Sequence, residues 1–431
     1  MKNFFKVEHT SSKSKARLGQ INTSHGVINT PSFVAVGTKG TVKALTPSIL
    51  KDIGTQVAFV NTYHLVTHPG PEIIEKAGGI HNYSKLNLPL MSDSGGFQVF
   101  SLAREKRKAN VRGEEQPLVV KITDDGVKFR SSFDGALIEF TPEKSMEFQR
   151  QIGADINMAF DECTYYPATY EYTRKAMERT HEWLKRCINY RKTRQSNFYH
   201  TRVSPLRGPL GSEKITSNSS LPSSKLIDNQ YLYGVIQGGT FEDLRKKSAE
   251  FVVSQNTSGV AIGGVSVGES KKEMRDQVSW VSDYLPLDRP VHLLGVGQID
   301  DIVDLVKYGI DTFDCVEPTR LARMGTLYKM STPIKSGSNI NPDQIGVKLQ
   351  LTNNKIKNEE IDVTKSVYRN NLEKVDKDCS CYVCENFTKS YLHHLFKQRE
   401  ILGYTLATYH NLWVMEKLFE RIRELIAENK I

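Results

Sequence analysis

The sequence predicts an α/β protein built on a (β/α)8 TIM barrel, and three observations carry that reading. Eight short apolar runs recur between residues 32 and 316. Helix-forming stretches with recognisable starts separate most of them. Each run ends in a small or polar residue, at the one phase where a barrel gathers its chemistry, the C-terminal mouth of its strands. A doubly wound open sheet would need a glycine-rich phosphate turn after its first strand, and none follows the first run.

The elements follow in order. The first thirty residues are polar and turn-rich and read as a short β prelude. The spacing predicts strands at 32–36 and 57–61, with a helix start at Thr46-Pro47-Ser48, where Pro sits just inside the cap, and a helix near 71–77. The third strand, 88–93, opens into Ser92-Asp93-Ser94-Gly95-Gly96-Phe97-Gln98. A hairpin detour at 118–122 and 127–131 turns at Asp125-Gly126. Thr141-Pro142-Glu143 opens the next helix, 156–160 is the fourth strand, and a basic helix runs over about 170–192. Residues 196–230, rich in Ser, Pro, Gly and Asn, read as a flexible insertion. Strands at 231–237, 259–264, 291–296 and 312–316 then alternate with helices at 241–255, 271–285 and 299–308. The barrel thus takes residues 1–330. A polar insertion fills 331–378, and a helical C-terminal subdomain packed on the barrel takes 379–431, with helices over 391–402 and from 406 to the end.

Of the 431 residues, 39% are hydrophobic and 25% charged, which suits a soluble chain with a sizeable core. The net charge of +9 favours a polyanionic partner, nucleic acid first. No apolar run reaches the ~20 residues that span a bilayer, and the start lacks a signal-peptide core; a cytoplasmic protein is expected. Six cysteines do not make a disulfide framework in a chain of this size.

Two groups carry chemistry. Cys379, Cys381 and Cys384 form a C-x-C-x-x-C cluster, and His410 lies in a later helical segment, with His393 and His394 as competitors. Three thiolates and one imidazole fill a closed, structural zinc site with no position left for a reactant. Of the isolated cysteines, Cys187 and Cys315 read as core residues. At the strand ends stand Val36, Asn61, Asp93 with Ser94, Asp161, Gln237, Gly263 with Gly264, Leu294 with Gly295, and Asp314. Asp93 and Asp314, on strands three and eight and near neighbours around a closed barrel, can split the work at an anomeric carbon: one attacks, the other moves protons. Asp161 suits hydrogen-bond donors on a base or sugar. Arg320 and Arg323 share a face if their segment is helical, and with Lys329 beyond they can grip phosphates. Singly, each acid reads equally well as a cap or turn residue, and a basic face is more often merely solvated; their convergence on one mouth tips the balance.

On these residues the chain resembles the tRNA-guanine transglycosylase family, specifically its bacterial branch. The matching segments are the Ser92–Gln98 stretch quoted above, Phe160-Asp161-Glu162-Cys163, Val235-Ile236-Gln237-Gly238-Gly239, Gly263-Gly264-Val265-Ser266-Val267-Gly268-Glu269, Gly295-Val296-Gly297, Phe313-Asp314-Cys315-Val316, Pro318-Thr319-Arg320 and the cysteine cluster with His410. The resemblance implies exchange of the wobble guanine of tRNA anticodons for a 7-deazaguanine base, by double displacement, on the way to queuosine. It implies Asp314 as nucleophile and Asp93 as general acid/base. Ser94, Gly95, Gly96, Asp161, Gln237 and Gly264 would bind the base, and Phe97 and Leu294 would sandwich its ring. Residues 295–301 (Gly295, Val296, Gly297, Gln298, Ile299, Asp300, Asp301) and 319–323 (Thr319, Arg320, Leu321, Ala322, Arg323) match tRNA-contact segments. Cys379, Cys381, Cys384 and His410 match the ligands of one structural Zn2+, and a homodimer through the zinc region is implied. Val267 stands where the eukaryotic branch has glycine, which favours 7-aminomethyl-7-deazaguanine as the incoming base. Leu294 replaces a common methionine, Met324 a usual asparagine, and the stretches 196–230 and 331–378 exceed the usual bacterial lengths. A non-catalytic tRNA-binding subunit would not need both Asp93 and Asp314. A zinc-dependent barrel hydrolase would need a histidine pair on the first strand, where Val34-Ala35-Val36 stands.

Overall fold

In the computed structural model, which describes residues 4–96, 118–131, 133–203, 230–330, 349–352, 355–358 and 360–431, eight parallel strands close into a barrel. They are Ser32–Val36, Ala58–Val60, Leu90–Ser92, Ile156–Met158, Tyr231–Ile236, Gly259–Ile262, Val291–Leu293 and Thr312–Cys315. Each pairs with the next, and the eighth pairs with the first, so the expected fold class and strand order are found. The barrel interior is filled from alternate strand positions by Val34, Phe59, Met91, Ile156, Met158, Tyr233, Val235 and Ala261. The outward-facing side chains pack under the surrounding helices in a second, larger core.

Local chemistry explains the helix boundaries. The helix Pro47–Ile53 begins with Pro after Thr46 and ends at Gly54, which is left-handed. In the helix Pro142–Ile152 the Thr141 hydroxyl accepts the Lys144 N–H at 3.2 Å. Ser270 and Glu273 form a reciprocal capping box at the start of Lys271–Val281. Helices also run over Glu242–Ser254 and Ile299–Leu305. The basic helix extends over Tyr170–Val203, past residue 196 where the sequence places the insertion; residues 204–229 lie outside the described residues. Its polar, charged composition carries no stop signal there, so a helix forms as readily as a loop.

The prelude is a three-stranded antiparallel sheet, Phe5–Thr10, Arg17–Thr23 and Gly26–Thr30, on the closed end of the barrel. The detour hairpin gains a third strand, Leu137–Phe140. After the barrel, Glu360–Asp362 pairs with Thr326–Tyr328, and Ile361, Val363 and Val375 are buried with the cysteine cluster. The last two helices are Lys389–Gln398 and Ile401–Ala427, broken at Arg399, which is left-handed. The break falls a few residues before the one read from sequence. Phe419 on the final helix packs between Phe33 of the first strand and Phe313 of the eighth, at 6.2 and 5.8 Å between centroids. This helix therefore walls the seam where the barrel closes. No helix among the described residues is long and apolar enough to cross a membrane.

Asp155, just before the fourth strand, anchors the prelude. Its Oδ1 accepts from His25 Nδ1 at 2.7 Å; its Oδ2 accepts the Leu90 N–H at 2.9 Å and lies 3.3 Å from His81 Nε2. The two imidazoles stack at 3.4 Å, and His81 Nε2 also lies 3.2 Å from the Leu88 carbonyl. These side chains are spent on one another and on backbone. Burial pushes the Asp155 carboxyl up, but the hydrogen bonds from His25 and His81 outweigh it and hold it at about 2. A carboxyl lowered on folding stabilises fully above its unfolded pKa of about 4 and stops doing so as pH falls through the folded value. Asp155→Asn is therefore expected to cost about 2 kcal/mol at neutral pH in denaturant unfolding. The deficit should shrink as pH falls from about 4 to about 2; a constant deficit over that range would contradict the assignment.

Candidate active site

The mouth of the barrel holds a cavity of about 560 Å³. It is lined by every strand end named from the sequence: Val36, Asn61, Asp93 and Ser94, Asp161, Gln237, Gly263 and Gly264, Leu294 and Gly295, and Asp314. Phe59, Val60, Met158 and Val235 form its apolar floor. Such a pocket, apolar with a few converging polar groups, suits a flat organic ring.

Asp93 follows the third strand. Its Oδ1 accepts the N–H of Thr62 at 2.7 Å and of Gly95 at 3.2 Å, and its Oδ2 accepts from Asn61 Nδ2. The sequence marks Asn61 only as a strand end; in the structure it orients Asp93. Burial pushes the Asp93 carboxyl up to about 7, against the two backbone hydrogen bonds. A carboxyl at that value can both give and take a proton at neutral pH.

Asp161 is also buried. Ser94 Oγ donates to its Oδ1 at 2.9 Å and Gln237 Nε2 to its Oδ2 at 2.7 Å, yet burial pushes the carboxyl up to about 6. Gln237 Oε1, fully buried, has no hydrogen-bond partner among the described residues. A buried acceptor without a donor is rare unless a ligand supplies one. The neighbouring loop is held by Arg245, which no local sequence pattern singles out. Wholly buried, it donates to the carbonyls of Gly239, Gly263 and Gly264 at 2.7, 2.6 and 2.7 Å. At Gly264, φ is +62°, and a Cβ there would stand 2.2 Å from Gln237 Oε1, so only glycine keeps that acceptor open.

Asp314 is the penultimate residue of the eighth strand. Two strands separate it from Asp93 around the barrel, and both acids line the one cavity. Its Oδ1 accepts the Gly295 N–H at 2.9 Å and lies 3.2 Å from His292 Nε2. Its Oδ2 has no hydrogen bond among the described residues.

The other predicted residues fall into two groups. Gly295, Gln298, Arg320 and Leu321 line the cavity, and Arg320 is exposed on the helix Glu317–Arg323. Val296, Ile299, Thr319 and Ala322 are buried. Gly297 packs on Cys315, and Arg323 donates to the Thr319 carbonyl at 2.7 Å. Asp300 and Asp301 are buried in ion pairs with Lys271 and Arg275, so their charge is already compensated. Gly95 and Gly96 do not line the cavity; a Cβ on them would meet Phe140 at 2.6 Å and the Asp161 carbonyl at 2.5 Å. Cys315, read as core, is in the cavity wall together with Cys163. Val267 is half-buried beside the cavity, whereas Val265 and Ser266 line it. Phe97 lies outside the described residues.

Away from the mouth, Cys379, Cys381, Cys384 and His410 form a buried group whose ligand atoms lie within 4.8 Å of one another. The three sulfurs are 3.8, 3.5 and 3.3 Å from His410 Nδ1. His410 Nε2 is 2.7 Å from the Tyr328 carbonyl, which can only accept; the proton is therefore on Nε2 and Nδ1 is left to bind a metal ion. His393 instead bonds the Val363 carbonyl at 2.8 Å.

The family model described as Queuine tRNA-ribosyltransferase matches residues 11–431. The chain is similar to proteins named queuine tRNA-ribosyltransferase. The one from Caldanaerobacter subterraneus subsp. tengcongensis is 40% identical over 427 residues, 99% of this chain and 94% of the relative. That of Thermoanaerobacter pseudethanolicus is also 40% identical over 427 residues, with the same 99% and 94% coverage. That of Roseiflexus sp. is 38% identical over 431 residues, 99% of this chain and 96% of the relative.

Proposed function

We propose, from the premise that this chain belongs to the queuine tRNA-ribosyltransferase family and is a pentosyltransferase acting on tRNA, that it replaces the wobble guanine with 7-aminomethyl-7-deazaguanine through a covalent Asp314–ribose intermediate. The observation that carries this is the open Oδ2 of Asp314, which shares one cavity with the protonatable Asp93 and the Asp161–Gln237 pair.

In the first displacement Asp314 Oδ2 attacks ribose C1′. The C1′–N9 bond breaks, its electron pair leaves with guanine, and Asp93 supplies the proton. In the second, the incoming base loses its N9 proton to Asp93 and attacks C1′. The ester bond breaks and the Asp314 carboxylate returns. Two inversions give net retention. The target nucleotide must leave its stack to enter the pocket, at low cost in a single-stranded anticodon loop. Arg320 at the rim would meet its phosphates.

The base sits against Ser94, Asp161, Gln237 and Gly264, with Leu294 on one face. Its donors would satisfy Gln237 Oε1. Glu269 accepts the N–H groups of Ser266 and Val267. In a planar peptide the Val265 carbonyl then points away from Glu269, and Val265 lines the cavity. That carbonyl is an acceptor for an ammonium on the incoming base, which supports the aminomethyl substrate. The Cys379, Cys381, Cys384 and His410 donor set suits one Zn2+, which would lock the C-terminal segment and take no part in the chemistry. Beside that cluster Phe387 makes ring contacts with both Tyr382 and Tyr391, which are exposed, and this aromatic patch supports a homodimer through this region.

The test is incorporation of labelled guanine and of labelled 7-aminomethyl-7-deazaguanine into unmodified tRNA. Both should enter a tRNA with guanine at the wobble position and neither one with adenine there. A folded, metal-loaded protein that binds tRNA but incorporates neither would be a binding subunit. Gly264→Ala is expected to raise KM for the free base about tenfold or more, because its Cβ blocks Gln237 Oε1. Competition between guanine and other purines measures this, and an unchanged KM would remove Gln237 from base recognition.

A further inference from the structure

We propose that His292 is a positioning residue for the nucleophile: it holds Asp314 by Oδ1, leaves Oδ2 to the ribose, and speeds release of the ester in the second displacement. This rests on the assignment of Asp314 as nucleophile.

The strand register makes the arrangement. His292 on the seventh strand pairs directly with Thr312 on the eighth. Side chains two apart on a strand share a face, so Thr312 and Asp314 both flank the imidazole. His292 Nδ1 lies 2.9 Å from Thr312 Oγ1, and Nε2 lies 3.2 Å from Asp314 Oδ1. The ring is fully buried, stacks near Phe59 at 5.7 Å, and is not part of the cavity wall. It therefore acts through Asp314 and not on the substrate. An ionised carboxylate only accepts, so the proton of this bond is on Nε2; the Thr312 hydroxyl is then placed to donate to Nδ1 and keep that tautomer.

The bond changes strength during the reaction. In the free enzyme Oδ1 belongs to an anion. In the glycosyl ester it is a neutral carbonyl oxygen, a weaker acceptor, because hydrogen bonds to charged groups are about twice as strong. When C1′–Oδ2 breaks, the electron pair returns to the carboxylate, and the His292 N–H together with the Gly295 N–H stabilises the charge that reappears. Both donors thus favour breakdown of the ester over its persistence. They also restrain rotation of the carboxylate, so Oδ2 keeps its direction.

The experiment follows labelled guanine exchange into tRNA together with the fraction of enzyme trapped as a covalent tRNA adduct on a denaturing gel. His292→Phe keeps a ring and removes the donor. It is expected to lower kcat about tenfold to a hundredfold, leave both KM values within about threefold, and raise the trapped fraction. His292→Gln, which keeps an N–H donor, should restore most of kcat. Thr312→Val, a smaller change, should shift kcat and adduct in the same directions and covers the case in which His292→Phe does not fold. An unchanged kcat, kcat and adduct falling together, or a Gln variant as impaired as the Phe variant would overturn the proposal. A parent enzyme that forms no adduct while exchanging guanine would overturn it together with the assignment of Asp314.

Discussion

Asp314→Asn is expected to abolish base exchange, by about 10⁴-fold or more in kcat, and to leave no covalent tRNA adduct. The reason lies in what the carboxylate has and what surrounds it. Asn keeps the shape and the contact of one side-chain atom with the Gly295 N–H, but it has no anion to attack C1′. The remaining machinery persists: Asp93 keeps its Thr62, Gly95 and Asn61 donors, and Asp161 keeps Ser94 and Gln237. Affinity for tRNA should therefore change by less than about threefold, which a gel-shift titration measures. The contrast is Asp93→Asn, which removes the proposed proton carrier and leaves the proposed nucleophile. It should slow exchange less and still allow an adduct to form. Exchange by Asp314→Asn at more than a few per cent of the parent rate would mean that another group attacks, and Asp93 would be the next to test.

What the sequence showed and hid follows from the range of the interactions. Strand ends were legible because a barrel forces every strand end to one face, so that local patterns alone place Asp93, Asp161, Gln237 and Asp314 at the mouth. Partners within the barrel wall were not. His292 reads as one more residue in a buried run until the register sets it between Thr312 and Asp314. Arg245 looks like any charge on an amphipathic helix, and only the fold turns it inward to three glycine carbonyls. Asp300 and Asp301 look available in a tRNA-contact segment, but Lys271 and Arg275 arrive from the preceding helix and take them. Val267 looks like the pocket residue of its loop. The left-handed turn at Ser266, φ +61°, puts Val265 and Ser266 against the cavity and sets Val267 beside it.

The second large effect should come from the metal ion proposed to sit among Cys379, Cys381, Cys384 and His410. Removing one thiolate, Cys384→Ser, or stripping the ion with a strong chelator, is expected to lower the melting temperature by about 10 °C or more. Structural zinc contributes of the order of 10 kcal/mol in small domains, where binding and folding are one event. Without the ion, three buried thiols and an imidazole would be left facing one another without their common ligand. The damage should also reach tRNA binding, by a path that can be traced. His410 and Asn411 are adjacent on the helix Ile401–Ala427. Asn411 Nδ2 donates to the carbonyls of Pro318 and Thr326 at 3.0 Å each, and its Oδ1 accepts the Tyr328 N–H at 3.0 Å. Those contacts clamp the helix Glu317–Arg323, which holds Arg320 at the cavity rim. Further along, Phe419 closes the barrel seam beside the strand that carries Asp314. Partial metal loss should therefore raise KM for tRNA before it alters KM for free guanine, and full loss should end activity with unfolding. Metal analysis of the parent should give one ion per chain, and Cys384→Ser none. A metal-free variant with the parent's melting temperature and tRNA KM would show that the cluster holds itself together, and the clamp at Asn411 would then owe nothing to the ion.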